Sequence, residues 1–102
     1  MAFTRLPLPD LPWVGGPHPL ERKKALPDCP ITLIEFAPGF EDPAWCPRGH
    51  AGYVLSGSLG LEFADRTETL RAGEAFWLDP RTRHRASNPG PEPVVLFLVS
   101  RD

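Results

Sequence analysis

The distribution of proline is the feature that most constrains how this chain folds. Of its 14 prolines, seven fall within the first thirty residues and none lies between Pro47 and Pro80. Proline fixes φ and has no N–H to donate to a neighbouring strand. Residues 1–30 are therefore predicted to form an extended arm or an edge strand, in which only Leu20–Leu26 is free of proline and glycine for long enough to make a short strand. The domain proper is predicted over residues 31–102.

The proline-free centre has an apolar period of two, which is typical of strands. Leu59, Leu61 and Phe63 alternate with polar or small residues, as expected for a strand with one buried face. Ser56-Gly57 predicts a two-residue hairpin turn into this strand from the preceding one. No window of eleven residues carries a helical apolar stripe. The sequence therefore predicts an all-β sandwich or barrel, with strands near 31–37, 52–55, 58–63, 67–70, 74–78, 84–88 and 94–99.

Charge and composition exclude several classes of partner. A formal net charge of −2 gives no basic footprint for nucleic acid or for an anionic membrane surface. No apolar run approaches the roughly 20 residues that span a bilayer, and the N-terminus lacks the apolar core of a signal peptide. We therefore expect a cytoplasmic protein. The two cysteines, Cys29 and Cys46, do not make a disulfide framework.

His84 stands in a predicted strand whose alternate positions are arginine. Because Arg81, Arg83 and Arg85 share one parity and should face water, the other parity, with His84 and Asn88, is predicted to face the interior. An interior histidine is either a hydrogen-bonded imidazole or a metal ligand. The strand pattern leaves both roles open.

His50 and Cys46 are the second candidate pair. His50 begins the strand before Ser56-Gly57, and Cys46 lies four residues earlier in the preceding loop. This spacing suits a shared metal ion but also occurs in ordinary loops. Two interior histidines with a thiol beside one of them indicate a first-row transition metal, and the alternative is a polar barrel interior without metal. His18, between two prolines of the arm, is expected on the surface.

Two segments resemble the two sequence motifs of the cupin superfamily. The second motif, G-x5-P-x-G-x2-H-x3-N, fits without a gap, with aspartate and arginine in the proline and glycine positions: Gly73, Asp79, Arg81, His84 and Asn88. The first motif, G-x5-H-x-H-x3/4-E-x6-G, is matched by the segment from His50 to Gly57. The resemblance covers about residues 31–100 and implies a small single-domain cupin, a jelly-roll β-barrel.

The first motif can be counted in two registers. Counted back from Gly57, its glutamate and two histidine positions fall on His50, Cys46 and Ala44. Counted forward from Gly39, the two histidine positions fall on Trp45 and Pro47. In neither register does the chain carry the family's usual set of three histidines and one glutamate.

The resemblance implies a modified metal site. Its ligands would be Cys46, His50 and His84, with an oxygen from Glu41, Asp42 or water completing the shell. A thiolate with imidazoles suits Zn²⁺, Fe²⁺ or Cu²⁺ better than Mn²⁺ or Mg²⁺.

Apolar residues near the predicted site give further expectations. Phe40, Trp45 and Trp77 are predicted to supply the apolar walls of a small-molecule pocket, although the parity of Trp77 also allows a subunit interface. Tyr53 and Leu55 have the opposite parity to His50, and an apolar outer face on so small a barrel indicates a homodimer. The resemblance implies a dimer as well.

The sequence leaves more than one class of function open. A metal-dependent oxygenase, isomerase or lyase would use the metal as a Lewis acid or to activate O₂ or water. A metal-free barrel could instead bind or sense a small molecule, or serve as a dimeric structural module. The fold does not choose between them, and the sequence assigns no catalytic residue.

Overall fold

Short β-strands account for most of the regular structure in residues 2–101, the part of the chain that the computed structural model describes. One turn of 3-10 helix precedes them at Leu8–Asp10. In chain order the strands are β1 (Val14–Gly15), β2 (Glu21–Ala25), β3 (Ile31–Phe36), β4 (Gly49–Ser56), β5 (Ser58–Glu62), β6 (Thr67–Arg71), β7 (Ala75–Leu78), β8 (Arg85–Ser87) and β9 (Val94–Arg101). The all-β prediction is confirmed. No helix within residues 2–101 is long and apolar enough to cross a membrane.

Two sheets face each other across the core. The larger has the order β1-β2-β3-β9-β4-β7, and the smaller has the order β6-β5-β8. Their facing sides, together with Phe40 of the β3–β4 connection, form a continuous set of buried apolar residues, namely Ile34, Phe36, Phe40, Val54, Leu59, Leu61, Val94 and Leu96. The period-two pattern of β5 places Leu59 and Leu61 in this core, as the sequence predicted.

The proline-rich N-terminal segment joins the edge of the larger sheet. Strand β2 lies within the predicted Leu20–Leu26 stretch and pairs antiparallel with β3, with Glu21 opposite Phe36. Before it, the Trp13 ring packs under the guanidinium of Arg22, with 4.4 Å from the guanidinium carbon to the ring centroid. Strands β1 and β2 thus form one side of the larger sheet, whereas the division of the chain at residue 30 stays a prediction. Met1 and Asp102, at the ends of the two predicted segments, lie outside the described residues.

The predicted hairpin at Ser56-Gly57 is wrong. Strand β4 pairs with β9 and β7, whereas β5 pairs with β6 and β8 in the other sheet. Gly57 has φ +79°, and a Cβ at this position would overlap the carbonyl oxygen of Pro93. The turn therefore carries the chain from one sheet to the other, because tertiary packing, and not the turn dipeptide, determines which strand is the partner.

Asn88 connects the strands around the core through its side chain. Its Nδ2 donates to the carbonyl oxygens of Phe36 at 3.0 Å and Glu92 at 2.7 Å. Its Oδ1 accepts from the N–H of Gly90 at 3.0 Å. The residue is 2% exposed, so every polar atom of the amide is satisfied inside the protein. The interior orientation predicted for Asn88 is confirmed, and its contacts here are with backbone.

Candidate metal centre

An irregular segment over residues 39–46 brings Cys46 beside His84. The segment runs antiparallel to residues 84–88: Asp42 N–H donates to the carbonyl of Ala86 at 2.9 Å, and Asn88 N–H donates to that of Phe40 at 2.9 Å. At its end, Cys46 N–H donates to the carbonyl of His84 at 2.8 Å, and the carbonyl of Cys46 accepts from His84 N–H at 3.1 Å. Cys46 and His84 are therefore directly opposed, although 38 positions separate them in the chain.

His50 reaches the same place from the larger sheet. It stands near the start of β4, opposite Leu78 of β7 and Ser100 of β9. One potential ligand atom from each of Cys46, His50 and His84 lies within 4.8 Å of the other two. Cys46 Sγ is 3.6 Å from His50 Nε2, and the two imidazole rings meet edge to face with centroids 5.1 Å apart. The structure thus brings all three sequence-predicted ligands together.

The second nitrogen of each imidazole is held by a neighbouring group. His84 Nδ1 donates to the carbonyl oxygen of Thr82 at 2.8 Å, which leaves Nε2 with the lone pair. His50 Nδ1 lies 3.1 Å from Ser100 Oγ, so its Nε2 faces Cys46. Ligating histidines in proteins usually have such a partner on the non-ligating nitrogen, which fixes the ring and its tautomer. Both rings are therefore oriented as metal ligands would be.

His50 is also in the protonation state that a ligand requires. The pKa of His50 is lowered to about 4, mainly by burial, and the nearby His84 and Arg48 contribute to the same shift. The imidazole is neutral at pH 7, and only a neutral imidazole can donate a lone pair to a metal.

The residues present fit a divalent first-row transition metal. Sulfur and two imidazole nitrogens are ligands typical of Zn²⁺, Fe²⁺ or Cu²⁺ sites, and three protein ligands leave room for a further ligand. Of the two registers for the first motif, counting back from Gly57 agrees with the structure, since both Ala44 and Cys46 line the central cavity. His84 is 4% exposed and His50 is 9% exposed, so the two imidazoles are shielded from bulk water, whereas Cys46 is half-buried.

The cluster opens onto a cavity of about 200 Å³ between the two sheets. Most of its wall is apolar, including Ile34, Phe36, Leu59, Leu61, Phe76 and Leu96. Gly52 of β4 allows the ring of Phe76 to lie against the strand, because a Cβ at Gly52 would overlap that ring. A small organic molecule in this cavity would have the Cys/His cluster in its wall.

Three acidic residues near the cavity differ in position. Asp42 lines the cavity, and its Oδ2 accepts from the N–H of Ala86 at 2.7 Å. Glu41, the other carboxylate considered for the metal shell, pairs with Ser87 and lines a separate surface depression instead. Glu21 of β2 also lines the cavity, and sequence reasoning missed it. Its position opposite the buried Phe36 places it on the inner face of the sheet, and only the strand register reveals this.

Burial changes the acidity of both cavity carboxyls. It raises the pKa of Asp42 above its usual value, against the opposing effect of the Ala86 N–H and nearby cationic groups. It also raises the pKa of Glu21, against the opposing charge of Lys23, while Asp42 adds to the increase. The two carboxyls therefore share a poorly hydrated region.

Within residues 2–101, the three aromatic residues predicted as pocket walls are not among those that line this cavity. Phe40 is fully buried in the core and stacks on Phe36, with ring centroids 4.0 Å apart. Trp45 packs beneath the guanidinium groups of Arg83 and Arg85. Trp77 is 53% exposed on the outer side of β7, because Leu78 has the inward parity. A role in substrate binding stays a prediction for all three.

The outer face of the larger sheet carries a band of apolar residues. Tyr53 of β4 is opposite Phe97 of β9, which in turn is opposite Leu33 of β3. Tyr53, Leu55 and Trp77 are 43%, 49% and 53% exposed. The predicted outward orientation of Tyr53 and Leu55 is therefore confirmed.

His18 is less exposed than the sequence predicted, whereas Arg81 is exposed as predicted but has an unusual backbone conformation. The His18 ring packs edge-on against Phe40 at 4.9 Å between centroids, and its Nδ1 accepts from the N–H of Leu20 at 3.0 Å. Arg81 has φ +74°, a conformation that favours glycine. It occupies the glycine position of the second motif, which explains why glycine suits that position.

Comparisons with known proteins agree with this architecture. The family model described as "Cupin domain" (Cupin_2) matches residues 32–100. The polyketide cyclase RemF from Streptomyces resistomycificus is 24% identical, with a TM-score of 0.81 over 98% of this chain and 80% of that one. KdgF from Halomonas sp. is 23% identical, with a TM-score of 0.73 over 93% and 92%. A cupin-superfamily sugar phosphate isomerase from Silicibacter pomeroyi is 15% identical, with a TM-score of 0.76 over 97% and 76%. A search of the curated proteins found no match.

Proposed function

This chain belongs to the cupin family, and on that premise we propose that it binds a divalent transition metal through Cys46, His50 and His84. The metal site serves a small molecule that the barrel cavity holds beside it. The observation that carries the proposal is the convergence of the three ligand atoms within 4.8 Å in the wall of that cavity.

The chain's own residues would prepare this site in three ways. Ser100 and Thr82 orient the two imidazoles through their Nδ1 atoms. The apolar walls exclude bulk water and strengthen electrostatic interactions inside the cavity. A bound metal would supply Lewis-acid activation of a substrate oxygen or of water. Zn²⁺, Fe²⁺ and Cu²⁺ are the candidate ions.

The named activities of similar structures support a small-molecule function. RemF is described as a polyketide cyclase and the Silicibacter pomeroyi protein as a sugar phosphate isomerase. Both names denote chemistry on small organic molecules, and we propose the same broad class for this chain, as an oxygenase, isomerase or lyase.

A metal-free binding or sensing barrel is the alternative. It is favoured by the 3.6 Å contact between Cys46 Sγ and His50 Nε2, since these groups can partner each other without an ion. Metal titration of the chelator-treated protein distinguishes the two. Under the metal proposal, the protein binds close to one equivalent of Zn²⁺, and the bound Co²⁺ form shows a thiolate-to-metal charge-transfer band.

The variants make the test specific. We expect His84→Ala and His50→Ala each to weaken metal affinity by more than about 100-fold, and Ser100→Ala by about tenfold through loss of ring orientation. Cys46→Ser should abolish the charge-transfer band, whereas Cys29→Ser, at the other half-buried thiol, should retain it. Failure of the wild-type protein to bind Zn²⁺, Fe²⁺ or Cu²⁺ would refute the metal proposal and leave the binding barrel.

We also propose that the chain forms a homodimer through the outer face of the larger sheet. The exposed side chains of Tyr53, Leu55 and Trp77 continue the apolar band across β9 and β3. The Arg22–Glu35 ion pair, at 2.7 Å, borders this band on β2. A second copy would cover the apolar surface and leave the charged border in water.

A further inference from the structure

Besides the Cys/His cluster, the cavity has a second polar region formed by the carboxylates of Glu21 and Asp42. Both residues line the cavity, and neither belongs to the group whose ligand atoms lie within 4.8 Å of one another. The two come from distant parts of the chain, Glu21 from strand β2 and Asp42 from the segment beside β8. This region is therefore built by the tertiary structure and not by a local acidic run.

Each carboxylate is held in place by its surroundings. Asp42 Oδ2 accepts from the N–H of Ala86 at 2.7 Å. The side chain of Glu21 packs against the backbone at Gly16, where a Cβ would come within 2.8 Å of the carboxyl carbon. The N-terminal segment thus packs against the carboxyl group of Glu21, a residue that also lines the cavity.

The charge of the lining limits which ligands the cavity accepts. Among residues 2–101, no lysine or arginine lines it, and Lys23 lies two positions further along β2. A carboxylate in an apolar environment accepts a hydrogen bond from a ligand hydroxyl and repels a ligand anion. The apolar walls suit a ring, since a cavity of about 150 Å³ lined by similar residues holds benzene, and this cavity is about 200 Å³.

Building on the proposed small-molecule function, we propose that the ligand is a neutral ring compound that donates a hydroxyl hydrogen bond to the Glu21 and Asp42 carboxylates. These two residues would exclude carboxylated and phosphorylated molecules of the same size. The N-terminal segment would then be part of the binding site, although the family match begins at residue 32.

Three probes of matched shape test the proposal on the full chain in chelator-containing buffer. They are 2-naphthol, naphthalene and 2-naphthoate, and binding is followed by ligand fluorescence and by amide shifts in NMR. We expect 2-naphthol to bind about tenfold more tightly than naphthalene and at least about tenfold more tightly than 2-naphthoate. In the double variant Glu21→Gln/Asp42→Asn, the preference over 2-naphthoate should fall below about threefold.

Glu35→Gln is the matched control, because Glu35 lies on the neighbouring strand and forms an ion pair with Arg22 on the outer face. It should leave the preference unchanged. Equal or tighter binding of 2-naphthoate by the wild-type protein would overturn the proposal, and so would a preference that survives in the double variant. Absence of binding by all three probes would overturn it together with the small-molecule function. If the wild-type protein prefers 2-naphthol but fails to bind Zn²⁺, Fe²⁺ or Cu²⁺ in the separate metal titration, only the metal centre is refuted.

Discussion

Replacement of Asn88 tests whether its buried amide holds the strands and turn around the core together. Asn88→Ala removes three hydrogen bonds to backbone groups at a position that is 2% exposed. Each such bond contributes about 1 kcal/mol net, and a buried partner left unsatisfied costs about 1 to 3 kcal/mol. We expect a loss of about 3 to 4 kcal/mol in the free energy of unfolding. For a domain of this size, Tm would fall by about 12 to 30 °C.

The isosteric variant separates hydrogen bonding from packing. Asn88→Asp keeps the volume but replaces the Nδ2 donor with an oxygen that faces the carbonyls of Phe36 and Glu92. At pH 7 it should destabilise at least as much as Asn88→Ala, because a buried carboxylate would face two acceptors. Urea unfolding followed by tryptophan fluorescence and circular dichroism measures both variants. A loss below about 1 kcal/mol for Asn88→Ala, or an Asn88→Asp variant as stable as wild type, would refute the reasoning.

Two further predictions concern pH and self-association. The pKa of His50 is about 4 in the folded protein and near 6.5 in the unfolded chain. Between these values the unfolded chain binds more protons, so the free energy of unfolding should fall as pH drops from about 6.5 to 4. We expect a loss of about 1 to 2 kcal/mol after allowance for solvation in the cavity. The raised pKa values of Asp42 and Glu21 act in the opposite direction. Denaturation of His50→Gln beside wild type, both in chelator, therefore isolates the contribution of the histidine. Equal pH dependence of the free energy of unfolding in the two proteins would contradict the prediction. Sedimentation should give wild type twice the 11.3 kDa chain mass. The control variant Val14→Asp, at an exposed residue of β1, should give the same mass, whereas Leu55→Asp should give the mass of a single chain. A monomeric wild type would exclude the proposed dimer.

Apolar periodicity and proline placement were enough to predict the all-β class and the interior side of several strands. The alternation of Leu59 and Leu61 identified a buried strand face, and the arginine parity placed His84 and Asn88 inside. These inferences depend on period two, which local stereochemistry imposes on every strand. Proline placement likewise predicted an extended or edge-forming N-terminal segment, because a residue without an N–H is excluded from the centre of a sheet.

Strand pairing and the contacts between distant residues, in contrast, depend on the tertiary structure. Ser56-Gly57 resembles a hairpin turn, yet β4 and β5 belong to different sheets, because the pairing depends on strands far along the chain. Cys46 and His84 are opposed through backbone hydrogen bonds between distant segments, and spacing in the sequence carries no information about that pairing. Phe40 became core and Glu21 became cavity wall for the same reason: the direction of a side chain depends on the register of its strand or segment against a partner that is not its neighbour in sequence.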